Sequence, residues 1–427
     1  MLNSRCVSFF YLIPVLLLFC LSAKAQDEAL KYDDRVYVDN IHSVQFFVSG
    51  LVLSNPIINL RANTQLYFTF DDLDDQVKTY TYSFVHCNAD WTPSNLTETE
   101  YINGFTESYI DQYEYSIGTA TPFVHYYLSF PNRDFDFNIS GNYLLKVYED
   151  ENEKRLVITR RFMVVEPIMV VAPQMVRTAM VSKSDSHQEL DFAVFFPDVD
   201  VRSPQAEIKA TVLQNGRWDN AIQGIEPRFA RQKELFFDYQ DKIVFEAGKE
   251  FRWADLRSFK YPDDLIYTVE LYEDGYDVTL ITDEKRLRSY YLDISDINGR
   301  FVIGTSDFRD RDLQSDYANV LFSLQSSTEY YESDVYLYGA MTEWRLQPRF
   351  KMVYNRQKEV YLTEVLLKQG FYDYEYVIVG KDGKPDISET EGSWFEANNE
   401  YTILIYYRPF GGRYDRLVAS KTITSRS

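Results

Sequence analysis

The stretch Tyr80-Thr81-Tyr82-Ser83-Phe84-Val85 decides the fold class. Tyr80, Tyr82 and Phe84 alternate with Thr81, Ser83 and Val85, the period of two that separates the faces of a β-strand. His86-Cys87-Asn88-Ala89-Asp90-Trp91 leaves that strand, and Thr92-Pro93-Ser94 supplies turn residues. The same alternation recurs at Leu66–Phe70, Tyr143–Tyr148, Leu190–Phe196, Ile266–Tyr272 and Asp334–Tyr338. Asn55-Pro56, Pro131-Asn132, Ser140-Gly141-Asn142, Asn215-Gly216 and Asp382-Gly383 punctuate the runs. With 35 Tyr and 30 Phe in 427 residues, and no long helical period, the expectation is an all-β chain of sandwiches.

Residues 1–25 read as a signal peptide. Arg5 gives the positive start, Cys6 to Leu21 the apolar run, and Ala23-Lys24-Ala25 the small-x-small site before Gln26. The run is too short to span a bilayer, and Pro14 interrupts it. Cys20 lacks a lipobox, because Phe19 occupies the place of a small residue. No later segment is apolar enough for a membrane helix, so a soluble, exported mature chain is expected. Its formal charge of −21 becomes more negative when Arg5 and Lys24 leave, which disfavours nucleic-acid partners. Cys87 then stands alone, so hydrophobic cores and not disulfides must hold the fold.

Catalytic patterns are missing: there is no G-x-S-x-G, H-E-x-x-H, P-loop or C-x-x-C. Adjacent His86 and Cys87 would point to opposite faces of a strand, so a small buried thiol is the plainer reading. His42, His86, His125 and His187 are far apart and suit hydrogen-bonded scaffold roles. Asp71-Asp72 with Asp74-Asp75, and Asp307, Asp310, Asp312 and Asp316, lack the turn glycine of a calcium loop and read as solvated charge. A non-enzyme with no metal and no cofactor is expected.

Further motifs follow in order: Ser116, His125-Tyr126-Tyr127, Phe130-Pro131-Asn132 and Ser140-Gly141-Asn142-Tyr143. Later come Val244-Phe245-Glu246-Ala247-Gly248-Lys249-Glu250-Phe251-Arg252-Trp253, Tyr401 to Pro409, and Tyr414-Asp415-Arg416-Leu417. The chain resembles the type IX secretion system plug family of Bacteroidetes outer-membrane translocons, departing from it at Lys249, where Asn is expected. The resemblance implies a periplasmic protein that seats on the inner opening of a very large outer-membrane β-barrel and occludes it. Val335–Gly339, Thr342-Glu343-Trp344 and Gly370–Tyr376 also resemble an early-set immunoglobulin-type domain, a layout that sugar-binding modules share. An exported carbohydrate-binding protein using Trp344 is therefore the alternative.

Val164-Val165-Glu166-Pro167 and Ile294–Arg300 suggest cuts giving consecutive sandwiches over 26–166, 167–297 and 298–427. Trp91, Glu250, Arg252, Trp253 and Trp344 are the candidate partner-binding residues, Arg and Trp being enriched at hot spots. Each has a structural counter-reading. Trp91 could cap a sandwich core, Arg252 could pair with Glu250 inside a domain joint, and Trp344 could pack.

Overall fold

Alternating Tyr, Phe and Val build sheets whose inner faces meet in three large apolar cores. The structure, a computed structural model, describes residues 29–74, 76–150, 154–273, 275–287 and 290–426. The expected cleavage site at Ala25 and Gln26 lies outside these residues. The chain is all-β with sandwich-like sheets, and no helix among the described residues is long and apolar enough to cross a membrane.

The first core lies between two sheets. One runs Arg35–Val36, Arg155–Val165, Gly141–Glu149, Tyr80–Cys87, Ser108–Ile110, and the other Ile41–Val48, Leu66–Asp72, Val124–Phe130, Tyr113–Tyr115. The aromatic face picked out by alternation is the one that enters the core: Tyr80, Tyr82 and Phe84 join Phe68, Phe70, Tyr126 and Phe162. Phe70 stacks on Tyr126 at 5.1 Å while Tyr80 meets both rings edge-on. Each such ring contributes roughly 1.5–3 kcal/mol by leaving water.

The second core is discontinuous in sequence. Val170–Val176, His187–Phe195, Glu234–Phe237 and Phe229–Arg231 form one sheet. The facing sheet runs Ile222–Ile225, Ile208–Gln214, Glu400–Tyr407, Arg416–Thr424. The last two strands of the chain therefore close a core begun over 200 residues earlier, with Tyr401, Ile403, Ile405 and Tyr407 turned into it. Between them lies the third core, inside a ten-stranded sheet ordered Arg252–Asp255, Gly370–Val379, Asp334–Tyr338, Lys351–Asn355, Val360–Lys368, Tyr317–Gln325, Gly275–Leu280, Ile266–Tyr272. Phe301–Ile303 and Pro385–Asp386 also pair with its second strand.

The cuts expected at 166/167 and 297/298 thus divide the chain differently from its cores. Strand 252–255 pairs with 371–374 and belongs to the third core, while 400–424 belong to the second. The physical reason is that period-two alternation names the buried face of a strand but not the strand it pairs with.

A fourth apolar cluster welds the first and second sandwiches. Leu144, Met163 and Val165 project from the outer face of the first and meet Leu213, Leu404, Tyr406 and Leu417 of the second. Glu400–Tyr407 is buried on both faces, which is why Tyr401 to Tyr407 reads as an unbroken apolar run.

Candidate functional site

Of the sequence-nominated residues, Trp91 and Trp344 lie at joints between cores, whereas Arg252 is held within the third unit. Asn88, Ala89, Asp90 and Trp91 form a tight turn. Asn88 N–H donates to Thr92 O, and the Thr92 N–H and hydroxyl both donate to Asp90 Oδ1. Trp91 itself adopts φ +65°, a left-handed conformation rare for a bulky side chain. The turn drives its indole into the first–second seam, 4% exposed, edge-on to Trp218 at 5.0 Å. The Arg161 guanidinium lies 4.6 Å from Trp91 and 5.2 Å from Trp218, a cation held between two rings. Trp218 escaped sequence reasoning because no local pattern marks it. Trp91 is an internal seam residue and not a partner-facing anchor.

Arg252 is turned inward as well. Its strand alternates Arg252 and Ala254 buried against Trp253 and Asp255 half-buried. The guanidinium binds Glu391 at 2.9 Å and Asp283 at 2.7 Å, and donates to Glu284 O. Burial would release its proton, but the two carboxylates hold the pKa well above the usual arginine value. Burial pushes Glu391 up, yet Arg252 and Arg286 outweigh it and keep the carboxylate ionised. The expected counter-ion, Glu250, instead accepts from the Tyr291 hydroxyl and lies 3.5 Å from Arg426. Its buried Oε2 has no hydrogen-bond partner among the described residues. Trp253, half-buried, sits opposite Asp373 in register. Lys249 stands over the Trp394 ring at 4.6 Å.

Trp344 is covered. Arg217 stacks on its ring at 4.1 Å, and Phe251 and Tyr338 flank it at 5.9 and 5.5 Å. Arg217 comes from the second sandwich and Trp344 from the third unit, so this stack spans their joint. Arg217 thus takes one face of the ring, and that face is closed to a sugar.

The joint between first and third cores rests on a buried ionic network. Asp71 receives Lys368 Nζ at 2.7 Å and Tyr317 Oη at 2.6 Å on one oxygen, and His125 Nδ1 at 2.6 Å on the other. His125 Nε2 in turn meets Thr69 Oγ1 at 2.9 Å, and Ser43 Oγ meets Tyr317 Oη at 2.7 Å. Lys368 lies 3.9 Å above the Phe123 ring and donates to Asp312 O. Asp71 and Lys368 are each 1% exposed. Burial raises the Asp71 carboxyl, but Lys368 and His125 overcome it and leave the pKa below the ordinary carboxylate value. Asp71 and Asp72 are therefore not the solvated loop charge expected, and neither is Asp316, whose carboxylate accepts Ala120 and Thr121 N–H. A partner almost 300 residues away turns an apparent acidic surface cluster into a buried anchor.

A second cross-joint pair, Arg160 and Glu343 at 2.7 Å, lines two cavities of about 270 and 200 Å³. The smaller draws residues from all three cores, including Asp34, Trp218 and Trp344. At the nearby Ile297–Gly299 turn, burial pushes Asp373 up to about 7, helped by Asp296, which burial itself raises to about 6. Glu375, fully enclosed near Arg217, is also pushed up to about 7 by burial.

Cys87 and His86 form no reactive pair. Burial pushes the thiol up to about 12 and the imidazole down to about 4, and His86 is held by Ser94 and Ser140. Among the described residues no cluster of three His, Cys, Asp or Glu could hold a metal ion. The aromatic side chains that do reach solvent on the first sandwich include Phe105, Tyr109, Tyr113 and Tyr115, on or beside its short edge strands.

Residues 41–166 match the family model described as "Type 9 secretion system plug protein 1st domain". The whole chain is similar to a hypothetical protein from Parabacteroides merdae ATCC 43184, whose crystal structure was determined at 2.30 Å resolution. The two share 34% sequence identity with a TM-score of 0.89, over 92% of this chain and 100% of that one. No curated protein matches the sequence. The first sandwich, whose turn holds Trp91 and whose Asp71 anchors the third unit, is the part that carries the family signature: the chain belongs to the type 9 secretion system plug protein family.

Proposed function

We propose that this protein seats on the periplasmic opening of the outer-membrane translocon barrel and occludes its pore when no substrate passes. The observation that carries the reading is the plug-domain match over 41–166, joined to the way that domain is fixed to the remaining chain. A plug works by steric exclusion, so it needs a body that does not deform. Here the first sandwich is tied to the second by the Trp91–Arg161–Trp218 stack and to the third unit by Asp71–Lys368 and Arg160–Glu343. The second and third are tied by Arg217–Trp344 and by Arg300–Glu400 at 2.5 Å. Three units fixed pairwise form a triangle that resists hinge motion. The signal-peptide-like start supports export to the periplasm, and the role is non-catalytic.

Deleting the gene should admit large, normally excluded solutes through the outer membrane only while the translocon barrel is present. Equal leakage in a strain lacking the barrel would overturn the reading. Purified protein should also bind the isolated barrel from its periplasmic side.

A further inference from the structure

A strand at the end of a sheet presents unpaired N–H and C=O groups to any chain able to pair with them. Most sheet edges here are protected. Ser108–Ile110, Tyr113–Tyr115 and Phe229–Arg231 have three residues each. Arg416–Thr424 is long, but Glu166, Ile168 and Met169 donate to its Leu417 and Val418 carbonyls. Ile266–Tyr272 has neither protection. It ends the ten-stranded sheet, pairs with Gly275–Leu280, and has no strand on its other side among the described residues.

Its sequence, Ile266-Tyr267-Thr268-Val269-Glu270-Leu271-Tyr272, is β-prone and contains no Lys, Arg or Pro, the residues that usually guard an edge. A bulge at Tyr267 interrupts one end, while register is continuous from Thr268 to Tyr272. Tyr267, Leu271 and Tyr272 are 74%, 62% and 50% exposed. Bonded and non-bonded pairs alternate along an antiparallel ladder. With Tyr272 and Gly275 closing the hairpin as a bonded pair, Val269 and Leu271 are the residues whose N–H and C=O face the open edge.

Charge selects the occupant. From Pro262 to Thr282 the sequence carries Asp263, Asp264, Glu270, Glu273, Asp274 and Asp277 and no Lys or Arg. A second copy of this edge would meet like charge. We propose that Ile266–Tyr272 is a docking edge for an extended, Lys- or Arg-bearing segment of a partner protein, which adds to the sheet as a further strand. Main-chain hydrogen bonds would give affinity, and Glu270 and Glu273 would favour cationic side chains and set register. This inference stands on the strand alone and is independent of where the first sandwich seats.

The test uses the full mature chain and three labelled short peptides: alternating lysine and valine, alternating glutamate and valine, and alternating lysine and proline. The lysine–valine peptide should bind at least about tenfold more tightly than the others and protect the Val269 and Leu271 amides from hydrogen exchange. Leu271→Pro removes an N–H that faces the open edge and has no strand partner there among the described residues, so it should abolish binding with an unchanged thermal melt. Glu270→Lys with Glu273→Lys should reverse the preference towards the glutamate peptide, and this pair decides the matter if the proline variant fails to fold. Equal binding of the lysine–proline peptide would reduce the effect to diffuse charge and overturn the proposal. So would full binding by a folded Leu271→Pro chain, or self-association through this edge in sedimentation.

Discussion

Lys368→Met should loosen the joint between the first sandwich and the third unit, and its cost should depend on pH in a calculable way. The methionine fills similar volume and keeps contact with Phe123, so the main loss is the positive charge 2.7 Å from Asp71. Removing one partner of a buried pair typically costs about 3–5 kcal/mol, because the other charge is left without compensation. Here the cost has a ceiling. Asp71 can take up a proton, and protonating an ordinary carboxyl at pH 7 costs about 4 kcal/mol. That ceiling falls by about 1.4 kcal/mol for each pH unit lowered, so the variant should be far closer to the parent at pH 5 than at pH 7.5. The parent behaves in the opposite sense. With its folded pKa depressed, Asp71 contributes stability above the unfolded carboxylate value, lost as pH falls through the folded one. Denaturant unfolding of both chains across pH 5–8, with Asp71→Asn and the double variant closing a cycle, measures the coupling. A pH-independent difference, or a double variant as unstable as the summed singles, would refute the ionic account and leave only packing.

Three more outcomes follow from the joints and the surface. Arg252→Ala should destabilise the chain by about 3–5 kcal/mol, seen as a lower melting temperature, because Asp283 loses its cation and Glu391 keeps only Arg286; barrel binding should fall only with folding. Asp373, pushed up to about 7, and Asp296, to about 6, bind protons more tightly folded than unfolded; their contribution is full below the unfolded carboxylate pKa and is lost as pH rises through 6–7. Asp373→Asn keeps an oxygen for the Ile297 and Gly299 N–H groups, so thermal melts should show it more stable than the parent at pH 7.5 and nearly equal at pH 5. Replacing Tyr109, Tyr113 and Tyr115 together by Ser should weaken binding to purified barrel by about thirtyfold, roughly 2 kcal/mol, while the melting temperature stays put.

The difference between what these residues announce in sequence and what they do in space has a consistent cause. Tyr80, Tyr82 and Phe84 betray their strand because the signal is local: neighbours two apart share a face. Arg252 and Trp91 are equally conspicuous, but an Arg or Trp flanked by aromatics looks the same whether it faces a partner, a second domain or the interior of its own unit. The discriminating residues are Glu391 for Arg252, and Trp218 with Arg161 for Trp91, none of them within 50 residues. Asp71 shows the same effect reversed, for its own segment is acidic and only Lys368 explains its burial. The chain's return through Tyr401–Tyr407 was half legible, since apolar residues on both faces demand two buried neighbours without naming them. Edge strands differ in kind, because their function lies in what is missing. No Lys, Arg or Pro interrupts Ile266–Tyr272, yet only the sheet order shows that its outer side is open. With Trp91, Arg252 and Trp344 engaged by partners within the chain, the proposed barrel contact is left to such edges, to the half-buried Trp253 and to the solvent-facing tyrosines of the first sandwich. Substitutions at the joints should therefore register in stability, and substitutions at the edges in binding.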